Sequence, residues 1–203
     1  SVAQISRQQG YELTKPQIKS IVWNVNDARE NLETDSQMHD RFDSLEPHWF
    51  DIANEYILRL RRNSQIDFSG MISETVRLFT EHSSVLERAH AKWKYLQVDE
   101  VQDTNLAQFR LVQLLSQNTK NVFVVGDLDQ SIYGWRGARS ENIVEFQNLY
   151  AGTKVISLGK NYRSTPQIVA VADKLIKYNN GRIAAEFSTD NPPGAPVACK
   201  QFN

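Results

Sequence analysis

The sequence predicts an α/β protein in which a helical segment, residues 1–92, precedes a parallel sheet. Before residue 92, apolar residues recur at spacings of three and four, which is typical of one face of a helix. After Lys94 the apolar residues instead form short runs, and stretches with helical spacing separate these runs. Because strands that alternate with helices pair in parallel, the second pattern predicts a parallel sheet.

Three helices are expected in the helical segment. Thr14 and Gln17 form a capping box before the first, and Asp67 is a suitable N-cap for the third. Residues 33–46 are polar and are predicted to be a loop. The apolar stripes are Ile18, Ile21, Val22 and Val25; then Trp49, Ile52, Ala53, Tyr56 and Leu60; then Phe68, Met71, Ile72, Val76 and Phe79.

The later part of the chain is predicted to contain three strands, each followed by a helix. The last of these helices opens at Pro166, which suits the first turn of a helix. A stretch with three prolines, beginning near residue 191, is predicted to be a linker. The strands are 95–99, 122–126 and 154–158, and the helices are 104–117, 140–149 and 165–178.

The composition excludes several classes of protein. The 203 residues carry a net charge of -1, so any contact with nucleic acid must come from a local groove. Cys199 is the single cysteine, which excludes an internal disulfide, and the four histidines lack metal-ligand spacing. No apolar run reaches the roughly 20 residues of a membrane span. We therefore expect a cytoplasmic protein without a membrane segment.

Two adjacent carboxylates, Asp99 and Glu100, follow the first predicted strand. Ligands bind at the carboxyl edge of open α/β sheets. Adjacent side chains on an extended chain point to opposite sides, so one acid could hold Mg²⁺ while the other meets a water molecule. A solvated acidic turn is the alternative interpretation of this pair.

The second predicted strand leads into a loop that contains Tyr133, Trp135 and Arg136. Two aromatic faces and a planar cation within four positions are suited to bind unstacked bases of a single strand. Alternatively, the aromatic rings fill the core. A third group, Tyr162 and Arg163, lies between a predicted strand and a helix, where an arginine is otherwise most often a surface residue.

The three groups together resemble motifs II, III and IV of the UvrD/PcrA/Rep-type superfamily-one DNA helicases. The corresponding segments are Val98-Asp-Glu-Val-Gln-Asp-Thr104, Gly126-Asp-Leu-Asp-Gln-Ser-Ile-Tyr-Gly-Trp-Arg-Gly-Ala138 and Asn161-Tyr-Arg-Ser164. The resemblance extends upstream to Asp67-Phe68, and the first 65 residues match only loosely.

The resemblance implies that ATP and Mg²⁺ are the cofactors. Asp99 would bind Mg²⁺, Glu100 would activate the attacking water, and Gln130 would sense the γ-phosphate. Tyr162 would stack on adenine, and Arg163 would act as the arginine finger that stabilises the transition state.

The resemblance also implies a DNA site and partners. Tyr133, Trp135 and Arg136 would contact single-stranded DNA. The implied partners are single-stranded DNA, junctions of single- and double-stranded DNA, and the remaining helicase domains, with nucleoid association in the cell.

The resemblance further implies a fold in which a partial RecA-like parallel sheet of the P-loop NTPase type carries an inserted helical subdomain. The expected domains are a helical subdomain at 1–92, the second half of the first RecA-like domain at 93–151, and the start of the second at 152–190. Residues 191–203 would lead toward an accessory domain.

The glycine-rich phosphate loop, Gly-x-x-x-x-Gly-Lys-Ser/Thr, does not occur in the sequence. The sequence is therefore expected to be an internal fragment that is inactive alone, and its unpaired strand edge could support dimerisation. The expected function is ATP-dependent 3′-to-5′ DNA unwinding. The alternatives are a non-catalytic DNA-binding module derived from the helicase scaffold and the helicase subunit of a recombination nuclease.

Overall fold

The computed structural model describes residues 1–139, 141–179 and 187–201, without the side chains of Pro47 and Arg136. Within these ranges the chain forms nine α-helices and two β-strands. The helices are α1 (Val2–Gln8), α2 (Lys15–Glu30), α3 (Asp35–Asp43), α4 (Pro47–Arg62), α5 (Phe68–Glu81), α6 (Ser83–Lys92), α7 (Leu106–Ser116), α8 (Glu141–Leu149) and α9 (Pro166–Ile176). The strands are β1 (Leu96–Val98) and β2 (Val122–Val124).

The first four helices share one hydrophobic core, in which Ile5, Ile21, Phe42 and Ile52 are fully buried. The capping box of Thr14 and Gln17 opens α2, as the sequence predicts. The helical character of residues 1–92 is thus confirmed, and six helices occupy this range.

The prediction of a loop at residues 33–46 is wrong, because α3 occupies most of this range. Thr34 and Gln37 form a second capping box at its start. Met38 and Phe42, one helical turn apart, are buried against α2 and α4. The packing of these two residues, together with the ion pair between Arg41 on α3 and Asp27 on α2, holds this otherwise polar helix on the core.

Only the later part of the predicted apolar stripe on α5 is buried. Val76 and Phe79 join a second core with α6 and α7, whereas Phe68 is 91% exposed and Met71 is also exposed. The first turn of α5 presents Ser69, not Phe68, to α2: the Ser69 hydroxyl donates to Asn26 Oδ1 over 2.8 Å. The helix that this stripe predicts is therefore present, but its first turn, with Phe68 and Met71, faces solvent.

The predicted α/β class is confirmed by a two-stranded parallel sheet. Leu96 pairs with Val122 and Val98 with Val124, and α7 provides the crossover between the strands. The sheet is only partly covered, because Phe123 on β2 is 58% exposed. The architecture corresponds to part of a RecA-like sheet.

The third predicted strand, 154–158, does not form. These residues have no regular structure, and Val155, Ile156 and Leu158 are exposed. A strand needs a partner for its backbone groups, and among the described residues none lies beside this segment. An isolated bridge joins Lys160 to Ser188 just after it. The predicted helices at 140–149 and 165–178 are present as α8 and α9.

The proposed domain boundaries at 92, 151 and 190 remain predictions. Within the described residues, no helix has the length and apolar character that a membrane span requires.

Candidate functional site

The predicted acidic pair lies where β1 ends, and both side chains are exposed. The chain is not extended at this point, contrary to the sequence expectation. Glu100 has φ 50° and ψ 45°, in the left-handed region, and Asp99 Oδ1 accepts a hydrogen bond from Glu100 N over 2.9 Å. For a residue other than glycine this conformation costs on the order of 1–3 kcal/mol, and Leu32, Ser64 and Lys120 share its positive φ outside the acidic pair.

Gln102 links the acidic pair to the loop after β2. Its side chain is only 1% exposed. Its Nε2 donates to Glu100 Oε2 over 2.8 Å, and its Oε1 accepts from Asp127 N over 3.0 Å. Both functional groups of this buried amide are therefore satisfied by the two predicted motif segments.

The two segments also approach each other through their backbones. Val101 N donates to Val125 O over 3.0 Å. At Gly126, a Cβ atom would lie 2.5 Å from Gln102 Oε1 and 2.9 Å from Val101 Cγ1. Glycine is thus required here because no side chain fits between the segments.

Gln130 joins the same network through Asp127. The Asp127 carboxylate accepts from Gln130 Nε2 over 2.7 Å and from Asp129 N over 3.0 Å. A continuous path of hydrogen bonds consequently runs from Glu100 through Gln102 and Asp127 to Gln130.

The aromatic residues of the predicted DNA loop lie on the surface. Trp135 is 74% exposed and Tyr133 is 38% exposed, and their ring centroids are 6.5 Å apart at 57° between planes. The alternative that these rings fill the core is therefore wrong. Gly137 closes the loop with φ 78°, and the side chain of Arg136 lies outside the described residues.

Tyr162 and Arg163 occupy a turn that Asn161 organises. Asn161 Oδ1 accepts from Arg163 N over 2.9 Å and from Ser164 N over 2.7 Å. Residues 188–194 hold this turn from the other side, and Asn161 N donates to Ser188 O over 2.7 Å. The turn therefore depends on a segment about 25 residues further along the chain, as in the hydrogen bond from Thr189 Oγ1 to Ser164 O.

The ring of Tyr162 is 78% exposed, and Lys160 Nζ lies 5.7 Å from its centroid. Arg163 is also exposed. Among the described residues, no hydrogen bond or ion pair joins Tyr162 or Arg163 to Asp99, Glu100 or Gln130. Hydrogen bonds thus join the first two motif segments, and no hydrogen bond between described residues joins the third segment to the acidic pair.

The residues at the carboxyl edge fit Mg²⁺ held jointly with a nucleotide. Mg²⁺ is usually bound through one or two carboxylates together with substrate phosphates and water. Asp99 supplies one exposed carboxylate, and the described residues contain no group of three or more acids, histidines or cysteines that could form a cage. A metal ion held by Asp99 would therefore take its remaining ligands from phosphate and water.

Gln102 and Asp127 were missed as candidate site residues from the sequence. Both residues lie inside the motif segments. Their role in the site depends on the burial of Gln102 and on the hydrogen bond from Asp127 N to Gln102 Oε1, which joins residues 25 positions apart. A glutamine two positions after an acid pair, followed by Gly-Asp after the next strand, is the only sequence signal.

The chain thus combines a parallel sheet, an acidic pair at the carboxyl edge of that sheet and a neighbouring loop with exposed aromatic rings. The chain belongs to the UvrD/REP helicase family: the model of the UvrD/REP helicase N-terminal domain matches residues 2–151.

The chain is similar to several proteins named ATP-dependent DNA helicase PcrA. The Leuconostoc citreum protein is 43% identical over 147 residues, the Bacillus subtilis protein 42% over 148, and the Staphylococcus epidermidis protein 46% over 142. These alignments cover 72%, 73% and 70% of this chain, and 20% of each relative. The chain spans about a fifth of the length of the relatives that it matches.

Proposed function

We propose that this chain supplies the water-activating and DNA-coupling part of an ATP-dependent DNA helicase that moves 3′ to 5′ on single-stranded DNA. The observation that carries the proposal is the hydrogen-bond path from Glu100 to Gln130. A solvated acidic turn has no need of a buried amide behind it, whereas a general base must be held in one position.

In the proposed mechanism, Asp99 holds Mg²⁺, which would supply positive charge to the β- and γ-phosphates of ATP. Glu100 accepts the proton of the attacking water. The two adjacent carboxylates have different hydrogen-bond partners, because Asp99 Oδ1 accepts from Glu100 N and Glu100 Oε2 accepts from Gln102 Nε2. One carboxylate can therefore serve the metal while the other remains available to the water.

Gln130 lies three positions before Tyr133, at the start of the aromatic loop. A change at the γ-phosphate that moves Gln130 would also move this loop, because Asp127 fixes its first turn. The exposed rings of Tyr133 and Trp135 would stack on bases, and Arg136 would contact the same strand. This sequence of contacts couples hydrolysis to movement along DNA.

Tyr162 and Arg163 would complete the nucleotide site from the second motor domain. Their exposure is suited to groups that meet ATP only when two domains close on it. Arg163 would then stabilise the negative charge of the transition state, and Tyr162 would stack on adenine. We place this motor in the cytoplasm, with DNA and the remaining helicase domains as its partners.

The 203 residues contain no glycine-rich phosphate loop. The backbone amides and the lysine of such a loop hold the phosphates in P-loop NTPases. We therefore propose that the chain alone does not turn over ATP and that the loop is supplied by a further segment of the motor.

A chimera tests the proposal. Residues 2–151, the range that the family model matches, would replace the corresponding segment of the Bacillus subtilis PcrA. The chimera should hydrolyse ATP in a reaction that needs Mg²⁺ and is accelerated by single-stranded DNA. Glu100→Gln should reduce kcat by about 100-fold or more, within the range that general bases contribute.

Glu87→Gln is the matched control, because Glu87 is exposed on α6. It should leave kcat unchanged. A chimera that folds and binds ATP but hydrolyses it equally well with Glu100→Gln would contradict the proposed role of Glu100.

A second candidate function is a DNA-binding module without catalysis. The exposed Tyr133 and Trp135, combined with the lack of a phosphate loop, favour this function for the chain acting alone. The chimera also distinguishes the two functions, since a module without catalytic capacity would bind DNA but give an inactive motor.

A further inference from the structure

Gln102 is a buried residue that contacts both the acidic pair and the loop after β2. Its amide is buried, and it has one hydrogen-bond partner on each side. The partner of its NH₂ group is the Glu100 carboxylate, which is exposed and for which water is otherwise available. The hydrogen bond therefore does not serve to satisfy a buried acid, and its effect is to fix where Glu100 Oε2 lies.

The direction of the amide is also determined. The Glu100 carboxylate can only accept and the Asp127 N–H can only donate, so Nε2 must face Glu100 and Oε1 must face Asp127. A carboxylate at position 102 could replace only the second contact, and a thioether could replace neither. Position 102 thus requires a side chain with one donor and one acceptor, which a side chain of the same size without these groups would not supply.

The position of Gln102 is locked by its neighbours. Gly126 allows the loop after β2 to approach so closely that a Cβ atom would collide with Gln102 Oε1. Val101 N holds the same loop through Val125 O. A movement of the loop at Asp127 would therefore act on Gln102 and, through it, on Glu100.

We infer that Gln102 is a positioning residue that aligns Glu100 for water activation and makes that alignment depend on the loop carrying Gln130 and Trp135. The inference rests on the proposed function and deepens it, because it names the connection through which DNA binding accelerates hydrolysis. Gln102 itself touches neither ATP nor DNA in this account.

The test uses the active chimera with two variants of Gln102. Gln102→Met retains the length of the side chain and loses both hydrogen bonds. Gln102→Glu retains the acceptor toward Asp127 and replaces the donor toward Glu100 with a repelling carboxylate. Both variants should lower kcat by about 10-fold to 100-fold, as expected for a misplaced catalytic group. The KM for ATP should stay within about twofold, because the contacts of the nucleotide itself are unchanged. The acceleration by single-stranded DNA should fall in both.

A double-mutant cycle separates positioning from a structural role. Adding Gln102→Met to Glu100→Gln should cause no further loss in single-turnover hydrolysis, because the group that Gln102 aligns is already gone. Thermal melting of each variant reports folding. Gln117→Met, at an exposed glutamine after α7, is the control and should leave every parameter unchanged.

The outcomes have distinct meanings. Turnover that survives Glu100→Gln would overturn both the proposed function and this inference. This inference alone would be overturned if turnover needs Glu100 but the Gln102 variants keep both kcat and the acceleration by DNA. Losses from Gln102→Met that add in full to those of Glu100→Gln would also overturn it. If Gln102→Met does not fold, the same kcat and DNA comparisons on Gln102→Glu decide the question.

Discussion

Arg29 places one guanidinium nitrogen against both carboxylate oxygens of Asp67, 2.6 Å from Oδ1 and 2.7 Å from Oδ2. The contact joins the last turn of α2 to the N-cap of α5, where Asp67 Oδ1 also accepts from Gly70 N over 2.9 Å. Tyr56 on α4 donates to Oδ2 over 2.9 Å. Three helices therefore meet at a single half-buried carboxylate.

Replacing Asp67 with asparagine should destabilise the chain at neutral pH. Burial raises the pKa of Asp67, but the charge of Arg29 and the hydrogen bonds from Gly70, Tyr56 and Arg29 outweigh it, so the net pKa is lowered from 3.8. The stabilising contribution is thus present above the unfolded pKa and is lost as pH falls through the folded one. Asp67→Asn should lower the free energy of unfolding by about 2 kcal/mol at pH 7.

Urea unfolding at pH 7 and near pH 3 measures this difference. The difference in unfolding free energy between wild type and Asp67→Asn should be smaller at the lower pH. A larger difference at that pH would contradict the stabilising role of the ionised Asp67. Tyr56→Phe is the companion variant, since it removes one donor and keeps the ion pair. It should cost only about 1 kcal/mol. Burial, followed by the Asp67 interactions, raises the pKa of Tyr56 to about 12, so this hydrogen bond persists at alkaline pH.

Gly126→Ala should disturb the acidic site indirectly, through its contact with Gln102. The added methyl group would lie 2.5 Å from Gln102 Oε1, so either the loop or the amide must move. We expect a loss of about 1–3 kcal/mol in unfolding free energy, which is typical of overpacking. Gly134→Ala is the control, because a Cβ atom there meets no atom within 4 Å. Equal melting temperatures for the two variants would show that the close approach at Gly126 is not as described.

Trp135→Ala should weaken binding of the chain to single-stranded DNA. Stacking of a base on an aromatic ring contributes about 1–3 kcal/mol, so the Kd for a labelled oligonucleotide should rise roughly 10-fold, measured by fluorescence anisotropy. Trp23 on α2 is similarly exposed and lies outside the loop, which makes Trp23→Ala the matched control. Equal affinities of wild type and Trp135→Ala would refute the stacking role of Trp135.

The partly covered sheet should promote association at high concentration. Within the described residues β1 and β2 pair only with each other, so each has an outer backbone edge, and Phe123 adds an exposed apolar surface. Light scattering should show a rising fraction of dimers with increasing concentration, and Phe123→Asp should reduce it. A strict monomer throughout the concentration range would argue against pairing at these edges.

Elements that carry their own local signals could be predicted from the sequence. The capping box of Thr14 and Gln17 and the N-cap at Asp67 lie where the pattern places them. Thr34 and Gln37 form the same capping box at the start of α3, but the polar composition of the segment favours a loop in the sequence. A capping box is thus more informative here than hydrophobicity, because it reflects hydrogen bonds within four residues.

Features that depend on distant partners could not be predicted. Residues 154–158 have the apolar pattern of a strand, but β structure requires a neighbour that the sequence of the segment does not specify. Gln102 is polar and would be expected on the surface, and its burial depends on the close approach at Gly126. The acidic pair could be located, but its left-handed turn at Glu100 could not.

The most direct measurement is the turnover of ATP by the 203-residue chain itself, with Mg²⁺, in the presence and absence of single-stranded DNA and beside Glu100→Gln. We expect no turnover in either condition, because the chain lacks a phosphate loop although it contains Asp99 and Glu100. Turnover that disappears with Glu100→Gln would show instead that another segment of this chain holds the phosphates, and the proposed need for a separate phosphate loop would be wrong.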